Sequence, residues 1–291
     1  MLVELFAVMA PVLAGAGLGF VWVRRGHPYP IEFVTRLVFN IGTPSLVLAS
    51  LAGASIDAHT FGRTMLATAL VISLMGVAAF AMARLLRRDW RVILAPMMYH
   101  NTGNMGLPVV FYAFGSAGFA YGITVMVTVS LFQFTIGAML SSQGNPLKTL
   151  VKTPTVYAIL ISMTLLLTDT ALPAWIANTV DLMSGFTVPL MLITLGVSLA
   201  SIQVKSLRSG LGFTLLRIPL AAGTAWAVAG LLGLPPLAQS ILVLQMCMPV
   251  AVFNYLFAQR AQREPAYVAS LVFCSTLLAL FYLPALLALM M

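Results

Sequence analysis

The chain has 291 residues, of which 61% are hydrophobic and only 8% charged. A soluble domain carries about 25% charged residues, so 15 Lys+Arg and 7 Asp+Glu cannot coat a water-facing surface of this size. That excludes a soluble enzyme, a disordered chain and a nucleic-acid binder, and it makes the placement of the +8 net charge matter more than its sum.

A membrane-crossing helix needs about 20 mostly apolar residues. Ten stretches meet that need: 2–23, 31–53, 61–86, 92–115, 119–142, 150–168, 174–200, 209–232, 237–258 and 266–290. Lys152 and Pro154 crowd the start of the sixth. None alternates with period two as a barrel strand does, so the predicted fold is all-α and membrane-integral. In the first stretch Glu4 comes before the apolar run and Arg24 and Arg25 after it, the reverse of a secretory signal. That order predicts an outside N-terminus.

The loop charges agree. Arg24/Arg25, Arg84/Arg87/Arg88/Arg91, Lys148/Lys152, Lys205/Arg208 and Arg260/Arg263 fall in the odd-numbered loops, which makes 12 of the 15 basic residues. The even loops hold only Arg63, beside Asp57, while Arg36 and Arg217 fall within stretches. Cytoplasmic loops carry the excess of Lys and Arg, so the odd loops are expected in the cytoplasm and both termini outside. No loop is long enough for a separate soluble domain, which places the function within the bilayer. The two Cys sit in apolar segments and offer neither a disulfide framework nor a metal site.

Five stretches precede the central loop and five follow it. An odd number per half predicts two halves of opposite orientation, 1–142 and 154–291, joined by a cytoplasmic linker at 143–153. Pro44 and Pro189 are 145 residues apart, Arg63 and Arg208 are 145 apart, and Pro108 and Pro249 are 141 apart. Ordered markers at a near-constant offset point to an inverted repeat, a design common in secondary transporters.

Two of the ten stretches are interrupted. The fourth carries His100-Asn101-Thr102-Gly103-Asn104-Met105-Gly106-Leu107-Pro108 at its middle. The ninth carries Gln245-Met246-Cys247-Met248-Pro249, then Asn254. Gly weakens a helix, and Pro removes a donor and clashes with the preceding turn. Unwound backbone at membrane depth is tolerated only in a protein interior or along a cavity. After each break a new half-helix is expected, with Pro108 or Pro249 near its first turn. Its orphan N–H groups and partial positive charge favour an anion. The expected substrate contacts are Asn101, Thr102, Gly103, Asn104 and Pro108 from the fourth stretch, and Gln245, Pro249 and Asn254 from the ninth. Asn40 and Ser45 of the second stretch are expected to face them.

The run from His100 to Pro108 resembles the crossing-helix motif of the auxin efflux carrier family of membrane permeases. Asn40-Ile41-Gly42-Thr43-Pro44-Ser45-Leu46 is similar to that family's second hallmark. Pro189 with Leu195-Gly196, and Pro249, are similar to its later markers. The resemblance implies a scaffold of the first, second, sixth and seventh spans. The remaining spans would form a transport domain, with the fourth and ninth crossing at its centre and moving in an elevator-like shift. It also implies a bacterial-type organic-anion permease in the inner membrane, of the kind described for malonate or malate, and a homodimer through the scaffold. The long cytoplasmic loop of plant auxin carriers is absent.

Three ionisable groups within stretches are candidates for coupling or gating: Arg217, Asp181 and His100. An intramembrane charge is a functional candidate by default, with snorkelling or internal pairing as the alternative. His100, with an ordinary pKa near 6.5, is a candidate proton site or a packing residue. Arg36 is expected to pair with Glu32, and Gln133 to bond between helices. A coupling proton or sodium ion is compatible with these residues; no cofactor or metal is implied. An intramembrane enzyme would need a nucleophile–base pair or metal ligands, whereas His27, His59 and His100 are scattered. A channel or membrane sensor is the other alternative.

Overall fold

In lipid every backbone polar group must be satisfied internally, which leaves helices as the solution for long apolar stretches. The computed structural model describes residues 2–52, 58–137, 151–168, 170–202 and 206–290. Among them all regular secondary structure is helical, and the one extended pairing is an isolated antiparallel bridge. The helices are α1 (Leu2–Arg24), α2 (Ile31–Leu37), α3 (Thr43–Ala52), α4 (Ala58–Leu86), α5 (Trp90–Met98), α6 (Leu107–Phe132) and α7 (Pro154–Thr168). They continue with α8 (Ala174–Gly185), α9 (Thr187–Ser201), α10 (Leu207–Leu231), α11 (Pro236–Met246), α12 (Phe253–Arg260) and α13 (Pro265–Met290). Seven helical stretches among the described residues are long and apolar enough to cross a membrane, and Pro154–Leu165 and Pro236–Met246 are shorter apolar helices. Asp57, Lys148, Lys205, the linker to residue 150 and the end of the fifth stretch lie outside the described residues.

The interruptions have local causes. A π-turn at Val38–Gly42 joins α2 to α3 and ends two residues before Pro44. A second, Thr102–Gly106, ends two residues before Pro108. A proline ring crowds the carbonyl four residues back and offers it no N–H; here those carbonyls belong to Asn40 and Asn104. Widening the turn to π relieves both. Phe186 separates α8 from α9 three residues before Pro189. Within α6, Gly115 has φ 62° and ψ −159°, so residues 107–114 and 116–132 are two helices meeting at a kink that needs glycine.

Packing follows small residues. α1 lies against α9, and a Cβ on Gly19 would come 2.0 Å from the Ile193 carbonyl oxygen, while one on Gly196 would come 1.8 Å from that of Ala16. α3 packs on α7 and α8. A second body of contacts joins α4 to α5 and α10, α10 to α11 and α13, and α12 to α13. Its core includes Ile72, Met75, Ile93, Phe213, Leu242 and Leu271. The core formed by Val8, Val12, Val109, Leu192, Leu195, Leu244 and Leu283 joins the two.

Polar ties sit at the two ends. Arg88 pairs with Glu264 at 2.6 Å, linking the α4–α5 turn to the α12–α13 turn. Arg63 donates to the Gly233 carbonyl at 2.5 Å, linking the start of α4 to the α10–α11 turn. The Arg36–Glu32 pair forms at 2.5 Å, exposed, as the four-residue spacing predicts.

Candidate functional site

α5 ends because Tyr99 takes an extended conformation (φ −109°, ψ 108°), and α11 ends at Met246 with the chain then unwound to Val252. The two unwound segments run antiparallel, with His100 opposite Val250. Asn101 N–H donates to the Pro249 carbonyl at 2.8 Å, and Ala251 N–H to that of Tyr99 at 3.1 Å. Two broken helices thus satisfy part of each other's freed backbone. Side chains supply the rest. Asn254 Nδ2 donates to the Tyr99 carbonyl at 3.0 Å, Tyr282 O–H to that of Cys247 at 2.6 Å, and Val250 N–H to Ser275 Oγ at 3.0 Å. Arg217, fully buried on α10, donates from Nη1 to the Met248 carbonyl at 3.0 Å and from Nη2 to His100 Nδ1.

Helical backbone resumes at Thr102 and at Phe253. Pro108 is the second residue of α6, but the π-turn before it moves the helical start six residues upstream. Pro249 lies in the extended segment itself, four residues before α12. The breaks are therefore made by the Tyr99–Asn101 and Cys247–Val252 segments, and Pro108 instead widens the turn that follows.

Both resumed helical segments border one small chamber of about 130 Å³. Asn104 reaches it from the π-turn, Val252 and Phe253 from the start of α12, and Thr35, Thr194 and Ser198 from α2 and α9. Tyr29, in the α1–α2 connection, bonds Thr194 Oγ1 at 2.8 Å, and burial pushes its phenol above the ordinary range, so it stays protonated. Toward the other end of α9 a larger cavity of about 820 Å³ lies between α1, α3, α8, α9 and the α6 kink. Its lining is mostly apolar, with Asp181, Ser184, Ser50 and Tyr112 among the polar groups.

The structure brings together His100, Asn101, Thr102, Pro249, Asn254 and Arg217 at the crossing, all buried. Gly103 lies next to them on the same π-turn. Gln245, on the last turn of α11, is fully buried and reaches the Gly122 carbonyl only at 3.5 Å. Three buried amide atoms there have no hydrogen-bond partner among the described residues: Asn101 Nδ2, Gln245 Oε1 and Asn254 Oδ1. Asp181 stands apart, in the wall of the large cavity. Asn40 is exposed, and neither it nor Ser45 lines either cavity. Gln133 is buried with its Nε2 unpartnered among the described residues, where a bond between helices was expected. Tyr99, Ser275 and Tyr282 hold the crossing without any sequence signal, because a lone hydroxyl in an apolar helix looks the same whether or not it has a distant partner.

A family profile described as "Membrane transport protein" matches residues 5–287. A protein of Methanothermobacter thermautotrophicus, described as an uncharacterized transporter, is 32% identical over 273 residues, 86% of each chain. A second uncharacterized transporter, from Methanocaldococcus jannaschii, is 26% identical over 194 residues, 63% of each chain.

Proposed function

The chain belongs to the membrane transport protein family, which its profile matches from residue 5 to residue 287, and from that membership we propose that it is a secondary transporter of a small organic anion. The observation that carries this reading is the crossing. The helices that resume after the two breaks both line one chamber, the first through Asn104 and the second through Val252 and Phe253. The positive end of the helix dipole favours a carboxylate at such a place. At the crossing beside it, outside the chamber's own lining, Asn101 Nδ2, Gln245 Oε1 and Asn254 Oδ1 lack a hydrogen-bond partner among the described residues and are free to meet a neutral polar group.

In this reading the chain crosses the membrane ten times. The kink at Gly115 divides the longest helical stretch into two crossings, and α7 and the α11–α12 pair add two more. Trp90–Met98 completes the fourth crossing together with residues 102–114. The two halves are an inverted repeat, with the crossings kinked before Pro44 and Pro189 in corresponding places. α1, α2, α3, α7, α8 and α9 form the scaffold, and the remaining helices form a transport body that shifts against it. The large cavity is the vestibule on one side and the small chamber the binding site facing the other. Asp181 in the vestibule is where a coupling proton or sodium ion would meet a carboxylate. The membrane is a bacterial inner membrane, with both termini outside.

The test is uptake by purified protein in liposomes, preceded by a thermal-stabilisation screen of mono- and dicarboxylates, since a ligand raises stability by mass action. Saturable uptake of a carboxylate, lost in Asn104→Ala and Pro249→Ala proteins that insert normally, is the expected result. Full transport by both variants would remove the site assignment. Currents far above carrier turnover would indicate a channel.

A further inference from the structure

Arg217 is fully buried, and among the described residues it has no carboxylate partner. A buried charge is costly unless something compensates it. The compensation lies at the ends of two helices. α5 ends at Met98 and α11 at Met246, and the guanidinium bonds the residue two positions past each end, the His100 ring and the Met248 carbonyl. Helix C-termini carry unsatisfied carbonyls and a partial negative charge, so a cation is favoured there. The broken helices thus meet back to back. One cation sits just past both C-terminal ends, and the helices that resume reach the chamber through Asn104 and Phe253.

We propose that Arg217 is the positioning residue of the substrate site: its guanidinium locks the two breaks together through the Met248 carbonyl and His100 Nδ1, and so holds Asn104 after the first break and Phe253 after the second at one chamber. An arginine donates and never accepts, so His100 Nδ1 is the acceptor and carries no proton while the contact stands. His100 is then a fixed part of the clamp, and the coupling proton, if the transporter uses one, binds elsewhere. Ser275 and Tyr282 each reach one break from α13, while Asn254 and two backbone bonds join the breaks from within their own segments. Arg217 reaches both, through the Met248 carbonyl of one and the His100 ring of the other. This inference rests on the anion-transport reading for its consequence, though not for its geometry.

The experiment compares wild type, Arg217→Lys, Arg217→Gln and His100→Gln, using malonate as the probe. Hydrogen exchange is read on peptides covering 99–106 and 247–254, with α1 and α9 as internal controls, and malonate affinity is read by thermal shift. In Arg217→Gln, exchange at both breaks is expected to rise while α1 and α9 keep their protection, and affinity to fall about tenfold or more, the scale of a lost charge-assisted hydrogen bond. Arg217→Lys keeps the charge and one contact and restores part of both. His100→Gln keeps an acceptor and so is expected to lose less protection and affinity than Arg217→Gln, and the pH profile of its uptake is unchanged. Unchanged exchange and affinity in Arg217→Gln would overturn the proposal. So would a changed pH profile of uptake in His100→Gln with wild-type exchange at both breaks. If Arg217→Gln does not fold, Arg217→Lys decides: wild-type exchange at both breaks with affinity lowered as in an unrelated unstable variant overturns it. If wild-type protein neither binds nor moves carboxylates, the transport reading fails, while the exchange comparison still tests the clamp.

Discussion

Gln245 shows how tightly single residues are fitted at the crossing. Its amide sits between two glycines: a Cβ on Gly106 would come 2.0 Å from Oε1, and one on Gly122 would come 3.3 Å from Nε2. Oε1 has no partner among the described residues, and a buried unsatisfied polar atom costs about 1–3 kcal/mol. Gln245→Met keeps the length and removes the orphan, so it should leave melting temperature unchanged or raised while the carboxylate-induced thermal shift shrinks. A lower melting temperature with full carboxylate binding would make Gln245 a packing residue. Gly106→Ala should displace the same amide and depress uptake in protein that still inserts. The polar residues of the motif, Asn101, Asn104 and Asn254, are visible in the sequence because they interrupt apolar text. Their partners are not, since Tyr99 and Asn254 are 155 residues apart and only the fold brings them together.

At the level of elements, the sequence shows where a helix breaks but not which face it presents. α10 and α13 are apolar on all sides, so no stripe marks the face that carries Arg217 or Tyr282. Glycine in α1 illustrates the same limit. Gly15, Gly17 and Gly19 look alike in sequence, yet only Gly15 and Gly19 meet α9, and Gly17 has nothing within 4 Å. At Gly19 and Gly196 the obstacle is a backbone carbonyl, which cannot turn aside. Gly19→Ala and Gly196→Ala should each force α1 and α9 apart and cost about 1–3 kcal/mol, as overpacking does. Gly17→Ala should be neutral or stabilise by about 0.5–1 kcal/mol through helix propensity. Melting curves in detergent separate these outcomes, and equal effects at Gly17 and Gly19 would remove the close-packing account. The π-turns at Val38–Gly42 and Thr102–Gly106 were legible only as the Gly-X-Pro runs that end them, because widening a turn is the backbone's answer to a carbonyl with no donor.

For the whole molecule, charge placement and contacts address the same question by separate routes. The basic residues predict that odd loops share one side of the membrane and even loops the other. The structure contains two ties that test this parity without reference to any membrane. Arg88 and Glu264 come from the third and ninth loops, both odd, and Arg63 and Gly233 from the second and eighth, both even. Neither tie needs to be strong, since exposed ion pairs contribute about 0–1 kcal/mol; what they supply is geometry. The exposed indoles fit the same frame, with Trp22 at the odd side and Trp175 and Trp226 toward the even side, where amphipathic rings settle at a membrane interface. Parity does not say which side is the cytoplasm, and the positive-inside rule supplies that step. His27→Cys stands in the first loop and Thr170→Cys in the sixth, both exposed, and the native Cys247 and Cys274 are buried and should stay silent. A membrane-impermeant maleimide added to right-side-out vesicles should label Thr170→Cys and spare His27→Cys, with the pattern reversed in inverted vesicles. Labelling of both from one side would break the parity. The opposite pattern would keep the fold and turn it over in the membrane, exchanging which cavity faces the cell interior.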